Sequence, residues 1–477
     1  SDLTDIDLGD VLTYSATLSD GSALPTWLSF DASTQTFSGT PGPGDITSYS
    51  VEVFATDLAG LSASDIFDIV INNSLPALNP ITGNNYTNTL NGTAGKDLID
   101  GMSGGDTIYG NGDDDTIIGG GGNDKMYGGD GDDTFVVEGH DQDRDSFNGG
   151  TGYDTVLGGS GDDTFTMLHI TLADSIEEFD GGNGTNIISG TSYGNDLDFS
   201  QTILTNIDQI QGGAGGDEIF GSEGDDVIVG GTSGDVLKGN GGNDTFIVEG
   251  TGQGTDLFDG GAGTDTILGG LGDDEFVLKN FYASDSIEII DGGAGTNKIL
   301  GHEYGNVLDF SQTTLLNIDS IDGGAKGDTI TGSSSDDVII GGTGSDTLSG
   351  GAGDDSYHFQ AGDGTDTINN DAVSASEVDK LIFVDNFDIN NIWFSQDGSD
   401  LQITLLGSSD QVTVNDWFSD SNAQLESVVS GAEAVDTTNI NQLVSLMASY
   451  GTPSGGQMTL SAEDQQTVNS AIAVAWQ

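Results

Sequence analysis

Between Gly92 and Val136 the chain reads GTAGKDLID, GMSGGDTIY, GNGDDDTII, GGGGNDKMY, GGDGDDTFV, five nonapeptides without a gap. Position six is always aspartate (Asp97, Asp106, Asp115, Asp124, Asp133), and position eight is always large and apolar (Ile99, Ile108, Ile117, Met126, Phe135). Few folds accept such a period. Each unit has one apolar side chain to bury, so it cannot make a core alone and must stack on its neighbours. The glycines allow a tight turn, and the tripeptide after each aspartate reads as a short strand. A flexible Gly/Asp linker is the alternative, but a linker has no reason to keep position eight apolar.

The pattern returns with Asp154 and Asp163, with Asp217, Asp226, Asp235 and Asp244, with Asp265 and Asp274, and with Asp328, Asp337, Asp346 and Asp355. A longer period lies above it. Asp106, Asp217 and Asp328 are 111 residues apart, as are Asp154 and Asp265, giving copies at about 101–211 and 212–322 and the start of a third. The segments between blocks repeat too, DLDFSQTILTNIDQI (196–210) against VLDFSQTTLLNIDSI (307–321), with apolar residues at strand-like spacing. They are expected to be further rungs of one solenoid, without the acidic turn and with a small lateral bulge. Asn186 and Asn297 stand where the aspartate would be, which removes a charge from those turns.

Stacked carboxylates need a counter-charge. The chain has 79 acidic residues against 8 basic ones, for a formal net charge of −71, so its own cations cannot supply it. Coils lie about 4.8 Å apart, and like charges at that spacing repel beyond what a core one side chain thick can offset. Calcium takes six to eight oxygens at about 2.3–2.6 Å, mixing carboxylates with backbone carbonyls. The repeats match G-G-x-G-x-D-x-U-x and resemble the calcium-binding nonapeptides of repeats-in-toxin (RTX) proteins. That resemblance implies two nonapeptides per coil, repeat i stacking on repeat i+2, and roughly a dozen or more calcium ions held by the seventeen aspartates above. Folding and calcium binding would then be one event.

Residues 1–74 have another composition, with fewer glycines and strands expected at Val11–Leu18, Ser48–Thr56 and Ser64–Ile71. LTYSATLSDGSALPTWLSFDASTQTFSGTP followed by SYSVEVFATDLAG resembles Ig-like and dystroglycan-type cadherin-like modules of bacterial surface proteins. Such modules open with one more strand, here missing or supplied by upstream sequence or another molecule. Asp5, Asp7 and Asp57 look like a cadherin-type calcium cluster; the alternative is turn-forming aspartates on a solvated loop.

A linker is expected over 75–91, the solenoid over 92–369, a β-rich cap over 370–435 and helices over 436–477. The cap resembles the haemolysin-type calcium-binding related segment. One helix is read at 439–449, and S-A-E-D at Ser461 fits a capping box opening a second that runs to Trp476. By position and amphipathic character this end resembles a type I secretion signal, while the first residues (SDLT) carry no Sec signal peptide.

The fold class is therefore all-β: a calcium-bound parallel β-roll or solenoid preceded by an Ig/cadherin-like sandwich. The polyanion argues against nucleic acid and anionic membranes as partners, and no apolar run reaches a membrane span. Cysteine is absent, and HExxH and P-loop motifs are missing, so no enzyme is expected. The residues point to an extracellular structural or adhesive protein, with calcium, further copies of itself or surface polysaccharide as partners. A targeting or secretion module of a carbohydrate-active, alginate-type enzyme is the alternative.

Overall fold

The computed structural model describes residues 12–39, 47–71, 78–137, 143–370, 377–384, 387–454 and 456–477. The chain divides into two units, 1–78 and 79–477.

In the first unit, β1 (Thr13–Leu18) pairs antiparallel with β4 (Ser48–Thr56), which pairs with β5 (Ser62–Val70). β2 (Leu28–Asp31) and β3 (Thr36–Gly39) form a hairpin beside them. Leu28, Val51 and Ala55 are buried, with Trp27 edge-on to Tyr49 at 5.5 Å. At the β4–β5 turn the Asp57 carboxylate accepts the Leu61 N–H at 2.8 Å, the task of a turn-forming aspartate. Asp5 and Asp7 lie outside the described residues.

The second unit is a parallel β-solenoid of about 14 turns. It starts with β6 (Asn79–Asn84) and β7 (Thr89–Asn91), inside the stretch read above as a linker. They pair in register with β8 (Asp97–Met102) and β9 (Thr107–Gly112), so the first coil precedes the first nonapeptide. The pairing offset is 18 residues, Ile99 opposite Ile117, as two nonapeptides per coil require. Inward residues stack in files: Ile81, Ile99, Ile117, Phe135, Val156, Phe179 and Leu204 in one column, and Leu90, Ile108, Met126 and Phe147 in the other. From Ile99 and Ile108 onward these side chains are buried, apart from the partly buried Leu204. Burying each is worth roughly 1.5–3 kcal/mol.

The segments between blocks are rungs, as expected, but they carry a third strand rather than a lateral bulge. Thr155–Leu157, Thr164–Thr166 and His169–Ile170 form one such rung; Glu178–Asp180, Ile187–Ser189 and Asp196–Asp198 the next. Here the columns are exchanged. The second column ends at Ser146–Thr151 and the first at Ile203–Thr205, while new columns begin at Thr164 and His169 and carry on upward. The same exchange recurs 111 residues later, with columns starting at Glu275 and Val307 and the Thr164 column ending at Thr314–Leu316. A three-sided rung encloses a wider interior, and aromatic rings fill it: Phe179 meets Phe147, Phe165 and Phe199 edge-on at 6.2, 5.9 and 5.6 Å.

At the far end Lys380–Phe383 and Ser427–Ser430 continue one column, and Gln411–Val414 the other. An antiparallel hairpin, Ile392–Asp397 with Asp400–Leu405, is added beside Gln411–Val414. Helix α1 (Thr437–Met447) covers it with Ile440, Leu443, Val444 and Met447, and the Trp417 indole N–H donates to Asn441 at 2.9 Å. Helix α2 (Ala462–Ala475) packs on α1, and the Ser461 hydroxyl accepts the Asp464 N–H as the capping box requires. Gln477 exchanges two backbone hydrogen bonds with Ala434, so the C-terminal segment is folded into the cap.

Candidate metal sites: the stacked acidic turns

In GGDGDD (128–133), Gly129 and Gly131 have φ of 119° and 129°, a left-handed path open to residues without a side chain. A β-carbon at Gly128 would collide with both Asp133 Oδ2 and the Gly149 carbonyl oxygen of the next coil. The turn therefore encloses a small cradle walled by oxygen. The same pairing of an aspartate Oδ2 with a glycine carbonyl one coil on recurs around Gly101, Gly110, Gly212, Gly239 and Gly332.

All seventeen nonapeptide aspartates are buried. Within each column, one oxygen accepts the backbone N–H of the aspartate one coil earlier: Asp115 from Asp97, Asp133 from Asp115 and Asp154 from Asp133, all at 2.8 Å. Asp124, Asp235, Asp244, Asp265, Asp346 and Asp355 accept in the same way, at 2.7–2.9 Å. The other oxygen divides them. Oδ2 of Asp106, Asp115, Asp133, Asp154, Asp217, Asp235, Asp244, Asp265, Asp328 and Asp346 is buried with no hydrogen-bond donor. By contrast, Oδ2 of Asp97, Asp226 and Asp337 accepts the N–H and hydroxyl of Thr93, Ser222 and Ser333. Asp163 and Asp274 accept from the N–H of Gly159 and Gly270.

A buried acceptor without a donor costs about 1–3 kcal/mol, and more when charged. Burial accordingly pushes the Asp133 carboxyl up to about 7, with Asp154 and Asp115 adding repulsion. Asp115 and Asp235 rise to about 6, and Asp244 and Asp355 to about 7, burial again leading. Lysine gives little relief. Lys96 pairs with the outward Asp113 and Asp114, and Lys238 reaches Asp259 at 4.0 Å. Among the described residues no three His, Cys, Asp or Glu side chains converge, so any shell must combine carboxylates with main-chain carbonyls. Such an all-oxygen set suits a hard cation such as calcium.

Further carboxylates join the ladders without a complete nonapeptide. Asp145, Asp256, Asp366 and Asp379 accept the N–H of Asp124, Asp235, Asp346 and Asp355 at 2.9–3.0 Å. Each stands two residues before an inward apolar residue (Phe147, Phe258, Ile368, Leu381). That D-x-U spacing was a usable signal, hidden because the glycine register breaks before it.

Asparagine turns solve the same problem internally. Asn186 and Asn297 accept the N–H of Asp163 and Asp274 at 3.1 Å, and their amides donate to the Asn206 and Asn317 carbonyls at 2.9 and 3.0 Å. There the amide nitrogen covers a carbonyl that elsewhere faces a bare carboxylate oxygen.

Comparison with known families agrees with this architecture. The "RTX calcium-binding nonapeptide repeat" model matches residues 82–117, 100–135, 141–166, 205–232, 220–249, 251–277 and 322–357. The model described as "Putative Ig domain" matches 1–72, and the "Haemolysin-type calcium binding protein related domain" matches 400–429. Among solved structures, the extracellular lipase LipA from Serratia marcescens matches at 17% identity and a TM-score of 0.14, over 49% of this chain and 42% of the lipase. So partial and loose a correspondence extends neither the lipase's fold nor its activity to this chain. The chain carries RTX calcium-binding repeats, folded as a β-solenoid between an N-terminal Ig-type domain and a haemolysin-type calcium-binding related domain.

Proposed function

We propose that this chain is a secreted structural or adhesive protein of the bacterial surface or extracellular matrix, whose solenoid folds when it meets calcium outside the cell. The carrying observation is the ladder of buried aspartates whose Oδ2 atoms face glycine carbonyls with no donor. In this reading the nonapeptide aspartates hold calcium between coils, and the cytosol, poor in free calcium, keeps the chain unfolded and competent for type I export. Among the described residues no helix is long and apolar enough to cross a membrane.

Assembly into fibres is part of the proposal, and the N-terminal domain offers the means. Strand β5 has β4 as its one neighbour among the described residues, and Ile66, Phe67 and Val70 on it are exposed. An open strand edge with apolar side chains is a template for a strand from another chain. Light scattering on the EDTA-stripped protein, with calcium raised from micromolar to ten millimolar, tests both parts. Compaction followed by growing mass supports the whole proposal. Compaction to a stable monomer removes self-assembly, and no compaction removes calcium-driven folding.

A further inference from the structure

The aspartate ladder of the first block does not stop at its last nonapeptide. One coil above Asp154, in a segment without the glycine turn, Glu177 stands two residues before the inward Phe179. Its carboxylate accepts the Asp154 N–H at 2.8 Å, the bond that each ladder aspartate accepts from the coil below. The chain arrives there through a short 3-10 turn, Leu172–Asp174, and Ser175 follows in the left-handed region at φ 51°. That turn brings the Ser175 carbonyl over Gly149, where a β-carbon would collide with it and with Asp154 Oδ2 together. A serine carbonyl thus takes the place held elsewhere by a glycine carbonyl, and a glutamate the place of the next aspartate.

Asp154 is fully buried, and its Oδ2 has no donor. The same arrangement recurs in the second copy: Glu288 accepts the Asp265 N–H at 2.8 Å, Ser286 has φ 52°, and its carbonyl meets Asp265 Oδ2 over Gly260. Asp265 is also fully buried with an Oδ2 lacking a donor. The neighbouring asparagine turns set the contrast. Where Asn186 follows Asp163, an amide donates to the carbonyl and the turn is complete in itself; where Glu177 follows Asp154, only acceptors meet.

We infer that Asp154 with Glu177 and the Ser175 carbonyl, and Asp265 with Glu288 and the Ser286 carbonyl, form two glutamate-closed calcium sites in the three-sided rungs. Asp154 and Asp265 fall in the matched nonapeptide segments 141–166 and 251–277, whereas Ser175, Glu177, Ser286 and Glu288 lie beyond them. This inference rests on the calcium reading proposed above. Glutamine at 177 or 288 keeps an acceptor for the N–H and removes the charge, so the fold's own hydrogen bond survives. Equilibrium dialysis with radioactive calcium on the full chain, with folding followed by far-UV circular dichroism, should show E177Q/E288Q folded and holding two fewer ions than the wild type. Equal stoichiometry overturns the inference. A wild type that binds no calcium refutes the underlying reading instead. If the double variant does not fold, calcium anomalous density in wild-type crystals decides. Peaks between Asp154 and Glu177 and between Asp265 and Glu288 support the sites; peaks confined to the nonapeptide turns exclude them.

Discussion

Replacing Asp133 by asparagine should have opposite effects with and without calcium. The variant keeps the acceptor for the Asp115 N–H, which lies 2.8 Å from the carboxylate. In place of Oδ2 it sets an amide beside the Gly149 carbonyl, as Asn186 does beside the Asn206 carbonyl at 2.9 Å. Without calcium this relieves a carboxyl that burial holds near about 7 rather than 3.8. The full shift corresponds to about 4 kcal/mol above pH 7, and solvent screening at the turn reduces it to roughly 1–2. With calcium the same change removes a ligand. A site of about 0.1–1 mM affinity contributes roughly 1.4–2.7 kcal/mol at 10 mM calcium, and Asp133 Oδ2 lines the cradle at Gly128, so the loss is about 1.5–3 kcal/mol. The assays are thermal melting by circular dichroism in 10 mM calcium, and folding driven by trimethylamine oxide in EDTA at pH 8. D133N should melt about 3–6 °C lower in the first and fold at lower osmolyte in the second. The same sign in both arms would refute the oxygen-cradle account.

Other outcomes follow from the same geometry. Carboxyls raised to about 6–7 (Asp115, Asp133, Asp244) bind protons more tightly folded than unfolded, so the calcium-free fold is most stable below about pH 4 and loses stability up to about 7; the EDTA-treated chain should gain β-signal in far-UV circular dichroism on going from pH 8 to 5, and saturating calcium should flatten that dependence. Asn186→Asp exchanges the donor facing the Asn206 carbonyl for an acceptor, so calcium titration should show folding completed only at higher calcium than for wild type. Phe179→Ala empties the ring cluster of the first pair of three-sided rungs and should cost about 3–5 kcal/mol, read as a lower melting temperature in calcium with no change in ions bound.

Much of the solenoid could be read from the sequence because one period encodes both strand and turn. Position eight gave the stacked files from Ile99 to Phe135, and the 18-residue offset followed from the two nonapeptides per coil that the RTX resemblance implies. Three features escaped. The first coil, with Ile81 and Leu90, carries the inward residues without the acidic turn, so it looked like a linker. The third strand at His169–Ile170 is two residues long, too short to leave a period of its own. Which aspartate oxygens lack donors depends on the placement of position two in each turn: a serine or threonine there, as at Ser222, folds its hydroxyl onto its own carboxylate, and Gly159 and Gly270 turn their N–H onto Asp163 and Asp274. That distinction is a matter of side-chain placement, and composition does not reveal it. In the cap, the strands and the Ser461 cap were legible because antiparallel alternation and helix capping are local signals, whereas the return of Gln477 to Ala434 is a long-range pairing.

The exchange of columns bears on how the rod responds to force. A parallel sheet loaded along its stacking direction opens one strand interface at a time, and a seam running the full length would let a single failure travel from end to end. Among the described residues no column does so: the first ends at Ile203–Thr205 after the Thr164 and His169 columns have begun, and the Thr164 column ends at Thr314–Leu316 after those at Glu275 and Val307 have begun. The seams overlap like staggered joints in masonry, so a crack opened in one course meets unbroken neighbours at each three-sided rung. Each added 111-residue copy lengthens the rod and brings its own crack-stop with it.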